Sequence, residues 1–354
     1  MKYSFVIPIY NDGALARDFC VEAQKVFRTY LGHDDIADEL EIIFVDDGSA
    51  NDSAKLLKAV ADEFSFAKVV LLARNFGQHI AISAGYRAAN GDYVGMINVD
   101  QEDPPSQIPL LLEEIQKGEY DIVGGLHQGR PVSVINRMTR HLFLSTLNRL
   151  TGYDVPINAT TMRVMTRRAV DAYNALTERS RYLPGLEMWL GMRYGWVPTE
   201  QQPRKAGKSS YNFRRRLRMA YSSIISFSDF PLRLAVKFGM FVAAMGILLG
   251  LALVVQKLVG VQMFPGFTST FVIIVFLGGV QIAVTGVASL YIGRILAEVQ
   301  QRPLFVVRET YGGALRAFGE PVMRLSEPAR PATNVTTTPA PTATPPAHVR
   351  ERSA

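Results

Sequence analysis

Four short polar clusters hold the side chains of this 354-residue chain that could do chemistry: Tyr10-Asn11-Asp12, Asp46-Asp47-Gly48-Ser49, Arg74-Asn75, and Asn98-Val99-Asp100 with Glu102 and Asp103 just behind. Asp46 and Asp47 can accept hydrogen bonds from a nucleobase or from ribose hydroxyls. Asp100, Glu102 and Asp103 supply hard carboxylate oxygens, the ligand type suited to Mg²⁺ or Mn²⁺ bridging a diphosphate. Neither a Walker A glycine loop nor a Gly-x-Gly-x-x-Gly fingerprint occurs, which argues against a P-loop NTPase or a dinucleotide oxidoreductase. Any one cluster would pass as ordinary turn and cap chemistry. Four clusters at equivalent places in a repeating architecture make a site.

The elements around them repeat in that way. Strand-like apolar runs fall at 4–8, 41–45, 68–72, 93–97 and 121–123, and helix-like stretches at 14–30, 52–64, 78–89 and 106–117 alternate with them. The alternation predicts an α/β fold with a mainly parallel, doubly wound sheet. Ligands in such folds bind beyond the carboxyl ends of the strands, where the four clusters lie.

Two longer apolar stretches follow. No charged residue occurs from 238 to 256, and a second uncharged run spans 258–293, interrupted early by Pro265-Gly266; each is long enough for a membrane-spanning helix. Nine Lys and Arg residues between 204 and 237 precede the first run, Arg294, Arg302 and Arg308 follow the second, and the connecting loop holds only Lys257. The positive-inside rule then places both ends in the cytoplasm and the loop outside. With 38 Lys+Arg against 32 Asp+Glu the net charge is +6. Its juxtamembrane concentration favours the lipid bilayer over nucleic acid as the anionic partner, and no nucleic-acid module is present. One cysteine, Cys20, excludes an intrachain disulfide. Beyond 327 the chain is Pro/Thr/Ala-rich and is expected to be disordered.

The stretches PIYND, IIFVDDGSANDS, LLARNFGQHIAISAGYRAANGDYV and NVDQEDPP resemble the core of glycosyltransferase family 2, with its GT-A fold. Further on, YLPGLEMWLGMRYGWVP, RKAGKSSY and SSIISFSDFPLRL, followed by the two spans, are similar to the polyprenyl-phosphate glycosyltransferases. That group includes dolichol-phosphate mannose synthase, the aminoarabinose transferase and the O-antigen glucosyl transferase. The resemblance covers residues 3 to 320. It implies transfer of a sugar, with a UDP-sugar favoured, from a nucleotide diphosphate donor to polyprenyl phosphate (undecaprenyl phosphate in a bacterium), with inversion at the anomeric carbon. By the same resemblance Pro8, Tyr10, Asp12, Asp46, Asp47, Asn98 and Asp100 line the nucleotide sugar. Asp100 and Glu102 hold the metal, Arg130, Arg137 and Arg140 meet the acceptor phosphate, and Arg130 and Arg163 join Asp100 and Thr161 at the reacting centre.

Three positions depart from the family pattern. Asn98 stands for the first carboxylate of Asp-x-Asp, His127 for an arginine after the fifth strand, and Thr161 for an aspartate proposed as a base. A phosphate monoester is already largely anionic near neutral pH and needs little help from a base. The expected organisation is a glycosyltransferase domain at 1–210, an amphipathic juxtamembrane segment at 211–233, two transmembrane helices with a short external loop at 234–296, a cytoplasmic C-terminal segment at 297–326 and a disordered tail at 327–354. The chain is expected in the inner membrane as a multi-pass protein; a homo-oligomer is left open. A processive polysaccharide synthase would add spans and a Gln-x-x-Arg-Trp motif, which is absent. A catalytically silent scaffold that keeps a nucleotide-sugar site rests on Asn98 and Thr161 alone, and a different acceptor on the same fold stays open.

Overall fold

The computed structural model describes residues 1–100, 102–127, 156, 158–179, 181–200, 230–259, 266–316 and 323–324. The first half alternates as its apolar pattern demands: β1 (Tyr3–Ile9), α1 (Ala16–Leu31), β2 (Leu40–Asp46), α2 (Ser53–Glu63), β3 (Ala67–Leu72), α3 (Gln78–Ala88), β4 (Tyr93–Met96), α4 (Ile108–Gln116) and β5 (Ile122–His127). Then come β6 (Ala159–Thr166), α5 (Arg167–Ala175), α6 (Leu183–Trp189), β7 (Tyr194–Thr199), the long α7 (Phe230–Leu258) and α8 (Phe267–Val299), and finally β8 (Val306–Tyr311) and β9 (Met323–Arg324).

All nine strands join one mixed sheet in the order β7-β5-β6-β4-β1-β2-β3-β8-β9. The central β4-β1-β2-β3 group is parallel. β6 runs antiparallel between β4 and β5, and β8 antiparallel to β3. Central strands are buried on both faces, as β2 shows. Its Leu40, Ile42 and Phe44 enter a core with α1, α2 and α4. Ile43 and Val45 enter a second core with α3, α5 and α6. Period-two side-chain alternation thus feeds two cores from one apolar run.

The strands β6 to β9 have no counterpart among the sequence-based expectations. β8 changes the picture most, because it brings the chain back from α8 into the sheet. Ion pairing of Lys58 with Glu309 at 2.6 Å and a Tyr311 hydroxyl bond to Asp62 at 2.7 Å fasten it over α2. Arg316 reaches Asp171 of α5 at 2.7 Å. Within the C-terminal segment expected at 297–326, Val306–Tyr311 is part of the same sheet as the first strands.

α7 and α8 are long and apolar enough to cross a membrane, over Leu232–Ala252 and Ile273–Val299, each with mean hydropathy 2.1. At 1.5 Å per residue these stretches measure about 31 and 40 Å, against a hydrocarbon core of about 30 Å. They are not core helices of the domain. Met240, Ile247, Leu248 and Ile282 are among large apolar side chains two-thirds or more exposed.

Candidate active site

The polar clusters converge at the carboxyl edge of the parallel strands, where a series of hydrogen bonds links each loop to the next. Asn11, after β1, adopts a left-handed φ of 66°. Its N–H donates to Ser49 Oγ at 2.8 Å, its side-chain oxygen accepts from Ala50 N at 3.0 Å, and its carbonyl accepts from Asn51 Nδ2 at 2.9 Å. The first loop is thereby laced to the second. Asp47 joins the second loop to the third, accepting from Phe76 N at 2.7 Å and Gly77 N at 2.9 Å. Gly48 permits that approach: its φ is 67°, and a Cβ there would lie 2.4 Å from the Arg74 carbonyl carbon. Gln78, first residue of α3, donates to Asn98 Oδ1 at 3.1 Å, and Asn98 Nδ2 donates to Thr161 Oγ1 at 2.8 Å.

Within this framework the expected residues take different parts. Asp46 is fully buried; its Oδ1 accepts from the Ser49 backbone and hydroxyl, whereas Oδ2 is buried with no partner among the described residues. An unpaired buried carboxylate oxygen costs free energy unless a ligand donor reaches it. Asp47, expected beside it as a ligand contact, has each of its two oxygens occupied by a backbone N–H and serves as a clamp. Burial pushes its pKa up, with the Asp46 charge adding to the shift, while the Phe76 and Gly77 N–H groups pull the other way. Tyr10 is 49% exposed at the rim, Asp12 is exposed beside it and Pro8 is half-buried.

Asp100 and Glu102 share one turn, the Glu102 N–H donating to Asp100 Oδ1 at 3.3 Å. Next to them Asp103, buried, meets His127 Nε2 at 2.6 Å and ties the acidic turn to the end of β5. Among the described residues no group of three His, Cys, Asp or Glu side chains could enclose a metal ion. Two neighbouring carboxylates on an open edge match a Mg²⁺ or Mn²⁺ site completed by phosphate oxygens and water, so these residues fit the cation.

Arg163 does not face the open edge. It is 5% exposed, its Nη1 donates to Glu187 at 2.5 Å and its Nε to the Thr161 carbonyl at 3.0 Å. Burial alone would lower its pKa; the Glu187 carboxylate outweighs that and raises it. In place of the part at the reacting centre that the resemblance implies, Arg163 forms an internal ion pair that fixes the backbone carrying Thr161. Arg130, Arg137 and Arg140, together with most of the amphipathic 211–233 segment, lie outside the described residues.

Gln78 and Glu187 escaped the sequence reading. Gln78 lies in the quoted LLARNFGQHIAISAGYRAANGDYV stretch, but only the fold sets it against Asn98. Glu187, the one acid in YLPGLEMWLGMRYGWVP, could have been flagged as a charge inside an apolar helix.

The sheet with its carboxyl-edge loops is the mixed α/β GT-A arrangement, and similarity to known proteins agrees. Residues 4–173 match the family described as glycosyl transferase family 2. The chain is 33% identical over 314 residues to an uncharacterized glycosyltransferase of Synechocystis sp., covering 88% of this chain and 96% of the relative. It is 32% identical over 315 residues to the SfII prophage-derived bactoprenol glucosyl transferase of Shigella flexneri, at 88% and 99% coverage. Against an undecaprenyl-phosphate 4-deoxy-4-formamido-L-arabinose transferase of Klebsiella pneumoniae the identity is 33% over 310 residues, at 87% and 93%. The chain belongs to glycosyltransferase family 2 and is a glycosyltransferase.

Proposed function

We propose that this enzyme moves a sugar from a nucleoside diphosphate donor, a UDP-sugar by resemblance, to polyprenyl phosphate at the cytoplasmic face of the inner membrane. The product would serve cell-envelope glycan assembly or modification. The observation that carries this reading is the return of α8 into the sheet beside the site. β8 starts at Val306, whose carbonyl accepts from Ala73 N at 2.9 Å, at the root of the third active-site loop. From Val299 to Val306 an extended chain spans at most about 25 Å. In addition, Glu298, in the last turn of α8, accepts from Arg179 N at 2.9 Å. An acceptor whose lipid tail lies in the bilayer alongside α7 and α8 therefore needs to extend its phosphate only a short way to reach the donor edge. The end of α8 lies on the side of the catalytic sheet. The relatives named for bactoprenol and undecaprenyl-phosphate substrates support the acceptor class.

The chain's own residues would act by positioning and electrostatics. Asp46 Oδ2 accepts a hydrogen bond from the nucleobase or ribose, Tyr10 and Pro8 bracket the base, and Asp12 contributes to the same rim. Asp100 and Glu102 would hold Mg²⁺ or Mn²⁺, which when bound offsets charge on the diphosphate. An acceptor phosphate oxygen attacks the sugar C1 opposite the leaving group; the C1–oxygen bond to the nucleoside diphosphate breaks, and that group departs with the electron pair. Arg130, Arg137 and Arg140 supply charge-assisted contacts to the acceptor. The attacking oxygen carries its own negative charge, so a neutral Thr161 beside C1 is compatible with turnover.

The decisive experiment incubates the purified full chain in nanodiscs with undecaprenyl phosphate, Mn²⁺ and a panel of radiolabelled UDP- and GDP-sugars, followed by lipid extraction. A labelled polyprenyl-phosphate sugar of inverted anomeric configuration is expected. Donor binding without transfer to any polyprenyl phosphate would overturn this reading in favour of the silent scaffold or of a different acceptor.

A further inference from the structure

We propose that Gln78 is a positioning residue that sets the polarity of a hydrogen-bond chain ending in the Thr161 hydroxyl, making Thr161 a donor to a substrate oxygen. This rests on the transfer reaction proposed above and names how one part of its site works.

Three separate parts of the fold bring the residues together. β6 pairs antiparallel with β4, with Met96 opposite Arg163; continued two residues further, that register sets Asn98 opposite Thr161. Gln78 comes from α3, whose start is held by Asp47 through Phe76 and Gly77. The Thr161 backbone is fixed in turn by Arg163, itself locked on buried Glu187. Gln78 and Thr161 are exposed and Asn98 is half-buried, so the line of side chains runs along the open edge rather than into a core.

Direction follows from the donors. Gln78 Nε2 donates to Asn98 Oδ1 at 3.1 Å, which turns the Asn98 NH₂ toward Thr161, where it donates to Oγ1 at 2.8 Å. The Thr161 oxygen is then an acceptor within the chain, which leaves its O–H, with no acceptor among the described residues, as the donor open to a ligand. Bonds aligned head to tail polarise one another, so the terminal hydroxyl is a better donor than an isolated one. Its target is a substrate oxygen acceptor, either a phosphate oxygen or a sugar oxygen. A base would need the opposite polarity, with the hydroxyl proton directed at a protein acceptor.

The test uses the full chain in nanodiscs under the transfer assay. Gln78→Glu removes the N–H donor and presents a carboxylate to Asn98, which must rotate its NH₂ toward residue 78. The Asn98 oxygen then takes the Thr161 proton, and the free donor is lost. Thr161→Val loses it directly, and Thr161→Ser restores it. We expect Gln78→Glu and Thr161→Val each to lower kcat by about two- to tenfold, the span of one neutral hydrogen bond. The double variant should be no slower than Thr161→Val alone, and Thr161→Ser close to wild type. Donor KM should change less than kcat if the bond strengthens in the transition state. Wild-type turnover by Gln78→Glu, or multiplicative losses in the double variant, would overturn the polarity. Methyl NMR spectra of all four proteins that match wild type keep a folding defect from imitating the result. A wild-type enzyme inactive across the donor panel would overturn the transfer reaction itself, an outcome distinct from either of these.

Discussion

Strand β2 carries a buried carboxylate at each end, Glu41 at the amino edge of the sheet and Asp46 at the carboxyl edge. Around Glu41 every neighbour is a donor: Ser4 Oγ at 2.5 Å, Lys68 Nζ at 2.6 Å, and the Asn90 backbone and side chain both at 2.9 Å. The hub extends through Gly91 N to Ser4 Oγ, and through Arg167 to the Ala89 and Gly91 carbonyls. Burial alone would raise the Glu41 pKa, but the donors from Asn90, Lys68 and Ser4 hold it below the usual carboxylate range. At the other end Asp46 keeps one buried oxygen without a partner among the described residues. The same residue class on the same strand is satisfied where it supports the fold and left open where a ligand can complete it. Unsatisfied buried polarity is costly, so the open Asp46 oxygen, set among the loop clusters of the carboxyl edge, marks a place for a ligand donor.

That contrast predicts opposite outcomes for equivalent substitutions. Glu41→Ala should destabilise the protein by about 3–5 kcal/mol, because it strands Lys68, at 12% side-chain exposure, without its counter-charge. Denaturant unfolding in nanodiscs, followed by intrinsic fluorescence, measures this; a midpoint within error of wild type would break the comparison at its structural end.

Acid should distinguish the edges next. His79, directly after Gln78, has a buried Nδ1 without a partner among the described residues. Burial first, then the nearby Arg163 charge, lowers its pKa to about 4. Its folded value lies below the unfolded value of about 6.5, so stability is complete above pH 6.5 and falls as pH drops toward 4, by at most about 3 kcal/mol. Glu41, also depressed, loses its contribution only at lower pH, as the solution passes below the ordinary carboxylate range toward its folded value. Unfolding midpoints from pH 7 to 4 should therefore slope downward in wild type and flatten in His79→Phe. An unchanged slope in the variant would remove His79 as the cause.

Asp46→Ala is the counterpart to Glu41→Ala. Donor affinity should weaken by about 10- to 150-fold, the loss of one hydrogen bond to a charged group worth about 1.5–3 kcal/mol, with thermal stability unchanged or higher. Isothermal titration with the nucleoside diphosphate and a melting curve read both sides. A variant that melts earlier and binds as well as wild type would reverse the assignment of the two edges. The smallest effect concerns the lacing of the loops. Asn11→Ala loses the side-chain acceptor and keeps the strained left-handed backbone, at a cost of about 1–2 kcal/mol, and Asn11→Gly should recover the backbone part. Thermal melts of the pair give the difference.

The first five strands were legible because apolar runs and their alternation with amphipathic helices are local signals. The polar clusters could likewise be assigned to the carboxyl edge, since in a parallel βαβ unit every loop following a strand emerges on the same side. Within those clusters the reading was less sharp. Asp46 and Asp47 are chemically identical neighbours, and only the third loop, some thirty residues on, decides that Asp47 is consumed as a clamp while Asp46 stays open. The resemblance sets Arg163 at the reacting centre, whereas the partner that holds it inside, Glu187, lies twenty-four residues further along the chain.

By itself, then, the amino-acid sequence determined the α/β alternation, the edge that carries the chemistry, the family resemblance and the two long apolar helices. Each of these is encoded in residue types at short spacing. Tertiary structure alone decided the antiparallel register that faces Asn98 with Thr161, the burial of Arg163 on Glu187, and the return of Val306–Tyr311 to β3 across more than two hundred residues. Pairings at such separation depend on closing long loops and on which surfaces remain after the local elements have packed, and neither is written in any single stretch of the chain.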